Sequence, residues 1–224
     1  MGFTISSRVN MEILFSQHQI EKYIDKYIPP WKRDRPGFFL EIGCWDGQMI
    51  SESLWLEKQK GWSGVCVDPF PRNFENRSCL VCANAISADG LPREFIKVSR
   101  DRRPGYGDVS YFSGFRDRVG VHWELIREHC DYQIIEIQTI TMENLYREYN
   151  IPNRVEFLSI DVEGAELEIL QSIQWDRWSY GMIVFEHNGA EDVIIKAGTL
   201  LSSAGYIRVE SLRCDDIYLN KDLL

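Results

Sequence analysis

One pattern recurs along the chain: a short apolar run stops at a carboxylate and gives way to helical spacing. The runs "FFLEIG", "WSGVCVDP", "VEFLSID" and "GMIVFEHN" place Glu41, Asp68, Asp161 and Glu186 at or beside their ends. Apolar runs of this length bounded by turn residues read as buried strands. Strands that alternate with helices build a mostly parallel sheet with helices on both faces. The helices expected between them are "QMISESLWLEKQKG", closed by Gly61, then "TMENLYREYN", "AELEILQSI" and "AEDVIIKAGTLLSSAG". "CLVCANAIS" reads as a third strand and "YQIIEIQTI" as another. "PRNFENR" reads as a short helix or loop, and "YIRVESLRCDDIYLN" as a closing hairpin. Residues 11–28 carry Ile20, Tyr23, Ile24, Tyr27 and Ile28 at helical spacing, and Pro29-Pro30 ends that helix. The expectation is therefore an α/β doubly wound sheet over 37–224, with an N-terminal helical cap and connector over 1–36.

From about Ala88 to Asp131 the pattern lapses. That is too long for a plain connection. The segment mixes Arg100, Arg102, Arg103, Arg116 and Arg118 with Tyr106, Tyr111, Phe112, Phe115 and Trp123. Aromatic faces stack on sugar rings and guanidinium groups bind hydroxyls or anions. Residues 88–131 are expected to form a lid or acceptor-binding segment.

Charge narrows the partners. The 224 residues hold 25 Lys and Arg against 34 Asp and Glu, a net charge of −9. An acidic chain gains nothing from phosphate electrostatics, so nucleic acid is not expected as a partner. No apolar run approaches the roughly 20 residues that span a bilayer, so no stable membrane insertion is expected. The six cysteines are scattered and mostly sit in strand-like runs. Cys79 and Cys82 are three apart in a strand and point to opposite faces. Free thiols in a reducing cytoplasm are the expected state.

The first strand–turn–helix, "LEIGCWDGQ", carries Gly43 and Gly47 where open α/β sheets bind nucleotides. The dinucleotide fingerprint is absent, because position 45 is Trp, and so is a phosphate-loop lysine. Glu41 and Asp46 would repel a pyrophosphate and favour a cationic ligand with hydroxyl donors. S-adenosylmethionine has a sulfonium, an ammonium and a ribose. Asp68, at the next strand end, suits both ribose hydroxyls. Asn84 and Ala85 are placed for an adenine edge.

The segments "FFLEIGCWDGQMIS", "KQKGWSGVCVDPFP…CANAIS" and "EFLSIDVEGAELEILQSI" together resemble the FkbM-type family of S-adenosylmethionine-dependent methyltransferases, over roughly residues 37–190. The resemblance implies a class I methyltransferase fold, Rossmann-like, with an antiparallel last strand and usually O-methyl transfer. It implies cofactor contacts at Glu41, Gly43, Asp68 and Asn84. Many relatives carry Glu at position 68. Acceptors of such families are often hydroxyls of sugars or secondary metabolites. Segment 88–131 has no firm match.

Parallel neighbours lie about 4.8 Å apart, so the ends after Asp161 and Glu186 should meet beside the transferred methyl. Two carboxylates that close need a proton or a cation between them. Asp161, Glu186 and His187 are the expected metal ligands, and oxygen-rich donors suit Mg²⁺ or Mn²⁺. This resembles metal-dependent small-molecule O-methyltransferases, which have a lysine three residues after the first acid, where this chain has Gly164. Candidates for the base are His187, Glu163 and Asp161. Glu166 is expected to serve the following helix's dipole.

The function expected is S-adenosylmethionine-dependent, divalent-metal-assisted O-methylation of a sugar hydroxyl, on a small-molecule or oligosaccharide acceptor. The alternatives are a metal-independent methyltransferase of another acceptor and a non-catalytic binding module. A domain cut from a larger glycan-building protein would also have this length.

Overall fold

A computed structural model describes residues 16, 19–28 and 36–223. The first helix, α1 (Ile20–Tyr27), is followed by β1 (Phe38–Ile42), α2 (Leu54–Lys60), β2 (Ser63–Val67), β3 (Leu80–Cys82) and β4 (Ala85–Ile86). Next come β5 (Arg93–Asp101), β6 (Gly114–Phe115), α3 (Trp123–His129), β7 (Cys130–Ile137), β8 (Thr139–Ile140) and α4 (Met142–Glu148). The chain continues through β9 (Arg154–Ile160), α5 (Glu166–Ser172), β10 (Ser179–Glu186), α6 (Glu191–Ser203), β11 (Tyr206–Ser211) and β12 (Asp215–Asn220).

The central sheet has seven strands in the order β11-β12-β10-β9-β1-β2-β3. β3, β2, β1, β9 and β10 run parallel, and β12 is antiparallel to both β10 and β11. The last strand is thus antiparallel, as expected. From residue 155 to residue 160 every position of β9 is buried, because helices cover both faces. Leu145 and Tyr146 of α4, Ile169 and Leu170 of α5, and Ala197 and Leu201 of α6 fill one face. Ile20 and Ile24 of α1 and Leu56 of α2 fill the other, against Phe39, Phe157 and Met182. The N-terminal helix therefore packs on the sheet. The rest of the expected 11–28 helix that precedes Gln19 lies outside the described residues, apart from Ser16. Gln19 has a left-handed φ of 59°, and α1 starts after it.

Three elements differ from expectation. The helix expected from residue 48 begins only at Leu54. Glu41 accepts hydrogen bonds from the Ser51 hydroxyl, the Glu52 amide and the Ser53 hydroxyl, which holds residues 51–53 as a loop. The third strand breaks after Cys82, and β4 leaves the central sheet to pair in parallel with β8.

The lapse at 88–131 is the third. It contains β5, β6 and α3, and with β7 it forms a separate antiparallel sheet in the order β6-β5-β7. Ile96, Val98, Val109, Val119, Ile126 and Cys130 give this lobe its own small core. The lobe runs on to Ile137, past the expected end. It is rooted where β4 and β8 lie side by side, with Ser87 and Thr139 hydroxyls 2.7 Å apart.

Candidate active site

The strand order reverses between β2 and β9 on either side of β1, and ligands bind at the carboxyl ends of strands at such a point. A cavity of about 1110 Å³ opens there, with the lobe as one wall. Its lining brings together Glu41, Gly43, Asp68, Asn84, Ala85, Asp161, Glu163 and Glu186. Two expected residues are elsewhere. Gly47 does not line the cavity; an added Cβ there would lie 2.4 Å from the Phe74 ring. His187 turns into the interior beside Asp216.

The glycine turn is fixed by close approach. Gly43 has φ +91°, and a Cβ on it would sit 1.5 Å from the Asp161 carbonyl oxygen. The ends of β1 and β9 touch there. Trp45, held at φ 44°, donates its amide to Asp68 Oδ2 at 3.0 Å, and the Phe70 amide donates to Oδ1 at 2.7 Å. Burial raises the Asp68 pKa to about 6 against those two donors. Glu41 is turned inward to the 51–53 loop, so its contribution to the cavity is mainly to shape that loop.

Asp161, Glu163 and Glu186 offer oxygen atoms within 4.8 Å of one another. Burial, reinforced by Glu163, pushes Asp161 well up, and burial with the neighbouring Asp161 pushes Glu186 up. Glu163 reaches the group through a left-handed backbone, φ 62°. Glu166 sustains that turn: its Oε1 accepts from the Val162 amide at 3.0 Å and the Gly164 amide at 2.8 Å. Glu166 is buried and positions Glu163, a role beyond the expected helix-dipole one. Strained residues of this kind collect at functional sites.

His187 does not join the three acids. Its Nδ1 accepts from the Gly189 amide, and its Nε2 lies 3.8 Å from Asp216 in the interior. Successive residues of a strand face opposite sides. Glu186 faces the cavity, so His187 turns away. The imidazole beside the acids is His122, from the lobe, with Nε2 3.0 Å from Glu163 Oε2. The Glu163 contact raises its pKa. A second unexpected lining residue is Glu52, whose buried Oε2 has no hydrogen-bond partner among the described residues. Burial, reinforced by Asp215, pushes it well up.

A family model described as "Methyltransferase FkbM domain" matches residues 41–218, from the glycine turn to the last strand. The chain belongs to the FkbM methyltransferase family. No curated protein and no solved structure matches it. Among the described residues, no helix of this FkbM methyltransferase is long and apolar enough to cross a membrane.

The lobe of this methyltransferase differs from expectation in its charges. Arg93 pairs with Asp117 and Glu168, Arg103 with Asp101, Arg116 with Glu94 and Arg118 with Glu168. Arg100 and Arg102 both reach Asp131. Arg93 and Arg118 thereby tie the lobe to α5, and Arg100, Arg102, Arg103, Arg116 and Arg118 do not line the cavity. Of the aromatics, Tyr111, Phe112 and Phe115 line the cavity. Trp123 packs on Tyr132, and Tyr106 lies under Arg103 outside. The lobe is tied to the glycine turn: Trp45 Nε1 donates to Ser110 Oγ at 2.8 Å, and Arg72 bonds both Asp108 and Ser110.

Proposed function

We propose that this FkbM methyltransferase is a class I enzyme that moves the methyl of S-adenosylmethionine to a hydroxyl oxygen. The acceptor we favour is a sugar of a glycan or glycosylated metabolite, and a divalent cation, Mg²⁺ or Mn²⁺, assists. One observation carries it: a glycine turn with a ribose-ready carboxylate and a three-carboxylate oxygen cluster open into one cavity. The strand order and the antiparallel β12 support the class I assignment.

The residues fit both groups. Asp68 keeps acceptor capacity for ribose hydroxyls beyond its two backbone donors, and Asn84 and Ala85 flank the adenine side. S-adenosylmethionine, when bound, supplies a methyl on a positively charged sulfur. Asp161, Glu163 and Glu186 offer only oxygen atoms, which hard divalent ions prefer, and among the described residues Glu163 Oε2 has no well-aligned hydrogen bond, His122 Nε2 standing 3.0 Å away. Such an ion lowers the pKa of a bound hydroxyl. His122, held against Glu163, is placed to take the hydroxyl proton. Tyr111, Phe112 and Phe115 offer ring faces to a sugar. The 88–137 lobe acts as a lid whose clasp is Trp45–Ser110. The protein works on small-molecule or oligosaccharide acceptors in the cytoplasm, alone or as part of a larger glycan-building protein.

A methyl-transfer screen over mono- and oligosaccharides, with and without Mg²⁺ or Mn²⁺, tests this. Methyl ethers are expected, and chelation should suppress them. Undiminished transfer after chelation would remove the metal from the mechanism. Transfer only to amines or carboxylates would remove the hydroxyl acceptor.

Asp68 supplies a pH signature. Ribose hydroxyls donate to its ionised form, and its pKa is about 6. Affinity for S-adenosylhomocysteine should therefore hold above that pH. Below it, affinity should fall, approaching about tenfold per pH unit. Asp68→Asn should weaken binding and flatten the profile. Calorimetric titrations that stay level from pH 8 to pH 5 would exclude Asp68 as the ribose ligand.

A further inference from the structure

We infer that Glu52 receives the α-ammonium group of S-adenosylmethionine, an assignment that rests on the cofactor reading above. Three observations lead to it. The first is construction. The Glu52 amide is held by Glu41 Oε1 at 2.8 Å, and the flanking Ser51 and Ser53 hydroxyls are held by Glu41 Oε2. Arg77 braces the same two hydroxyls from behind. Ile50, just before, sits at φ 55°, an outlier for a β-branched residue. A loop this heavily anchored on a strained backbone is a pre-set clamp.

The second is need. Glu52 lines the cavity, and its buried Oε2 has no hydrogen-bond partner among the described residues. The largest charge effects on it come from Asp215, Glu41 and Asp161, with the Ser159 hydroxyl beside it. Arg77, the nearest braced cation of that loop, is taken by Glu57 at 2.8 Å. A buried carboxylate among carboxylates requires a proton or an arriving cation. Glu52 lies outside the three-acid cluster, so a metal there would not answer it.

The third is position. β2 flanks β1 on one side and β9 on the other. Asp68 stands on the β2 side of the glycine turn. Ser159 of β9 and Asp215, opposite Glu186 in the β12–β10 pairing, put Glu52 on the other side. A cofactor with its ribose on Asp68 crosses the turn and brings its amino-acid end to Glu52. A charge-assisted ammonium–carboxylate bond then fills the empty acceptor.

Three ligands test this on the full chain by calorimetry: S-adenosylhomocysteine, its analogue lacking the α-amino group, and 5′-methylthioadenosine, which lacks the amino-acid end. The wild type should prefer S-adenosylhomocysteine to the deaminated analogue by tenfold or more. Glu52→Gln should lose most of that preference and bind methylthioadenosine as the wild type does, which also reports folding. Glu52→Asp should keep part of it. A wild type with no preference overturns the assignment without any variant, and so does an unchanged preference in Glu52→Gln. A wild type that binds none of the three overturns the cofactor reading itself, and this assignment with it.

Discussion

Asp161→Asn and Glu186→Gln should each melt above the wild type in chelator at neutral pH while transferring methyl at least about a hundredfold more slowly, the scale of losing a preorganised electrostatic contact. Both parts follow from crowding. Both carboxyls have pKa values raised above their ordinary range, Asp161 by burial and the Glu163 charge, Glu186 by burial and the Asp161 and Glu163 charges. For a group raised in the folded state, the stabilising contribution is complete below its unfolded pKa, about 4. It is lost as the pH climbs towards the folded value. At neutral pH the crowded acids therefore work against the fold, and an uncharged isostere relieves them. Wild-type stability should gain more than either variant's as the pH falls from 8 to 5. Mn²⁺ should reverse the order: a cation at a hundred times its dissociation constant stabilises the wild type by about 2.7 kcal/mol. The variants should respond little. Calorimetric melting with chelator and with Mn²⁺ reads both effects. Variants that melt lower in chelator, with a wild type indifferent to Mn²⁺, would leave the cluster without a metal role.

Gly43→Ala should be the most damaging single methyl in the site. A left-handed backbone costs a non-glycine residue about 1–2 kcal/mol. The added Cβ would also fall 1.5 Å from the Asp161 carbonyl oxygen, where neither strand end can yield without moving the acids. Overpacking of that kind costs about 1–3 kcal/mol. The sum, roughly 3 kcal/mol, corresponds to about 6–12 °C in a domain of this size. Gly61→Ala is the control. Gly61 has φ +63°, but no atom of the described residues lies within 4 Å of an added Cβ, so only the backbone cost applies. Equal melting temperatures for the two variants would show that the contact between β1 and β9 is not tight. Gly43→Ala should also lose S-adenosylhomocysteine binding, and Gly61→Ala should keep it.

The parts of the site that follow strand ends were legible in the sequence. Asp68, Asp161 and Glu186 each close a buried run, and a parallel sheet delivers such ends to one edge. The alternation of strand side chains also separates His187 from Glu186, which a simple count of neighbours along the chain overlooks. His122 and Glu52 were not legible, because folding at a distance places them. His122 arrives on a lobe whose strands look like broken charged sequence. Glu52 reads as a helix position until Glu41, eleven residues earlier, captures its amide. The pairing of the lobe arginines was hidden for a related reason. Their partners, such as Glu94 for Arg116 and Asp131 for Arg100, are set by cross-strand register.

The stem of that lobe has a further consequence. β4 takes the chain out and β8 brings it back, paired side by side. Everything between them hangs from two adjacent points, and Gly43, Asp68 and Asn84, the proposed nucleoside contacts, lie outside the loop. A segment tethered in this way can be lengthened, shortened or exchanged at little cost in closure entropy. The two halves of the cavity are thus free to diverge at different rates. On the proposed reading the cofactor half is constrained by the sheet, and the roof can be refitted to new acceptors as a unit. One core of this kind can serve a series of enzymes that share a donor and differ in what they methylate.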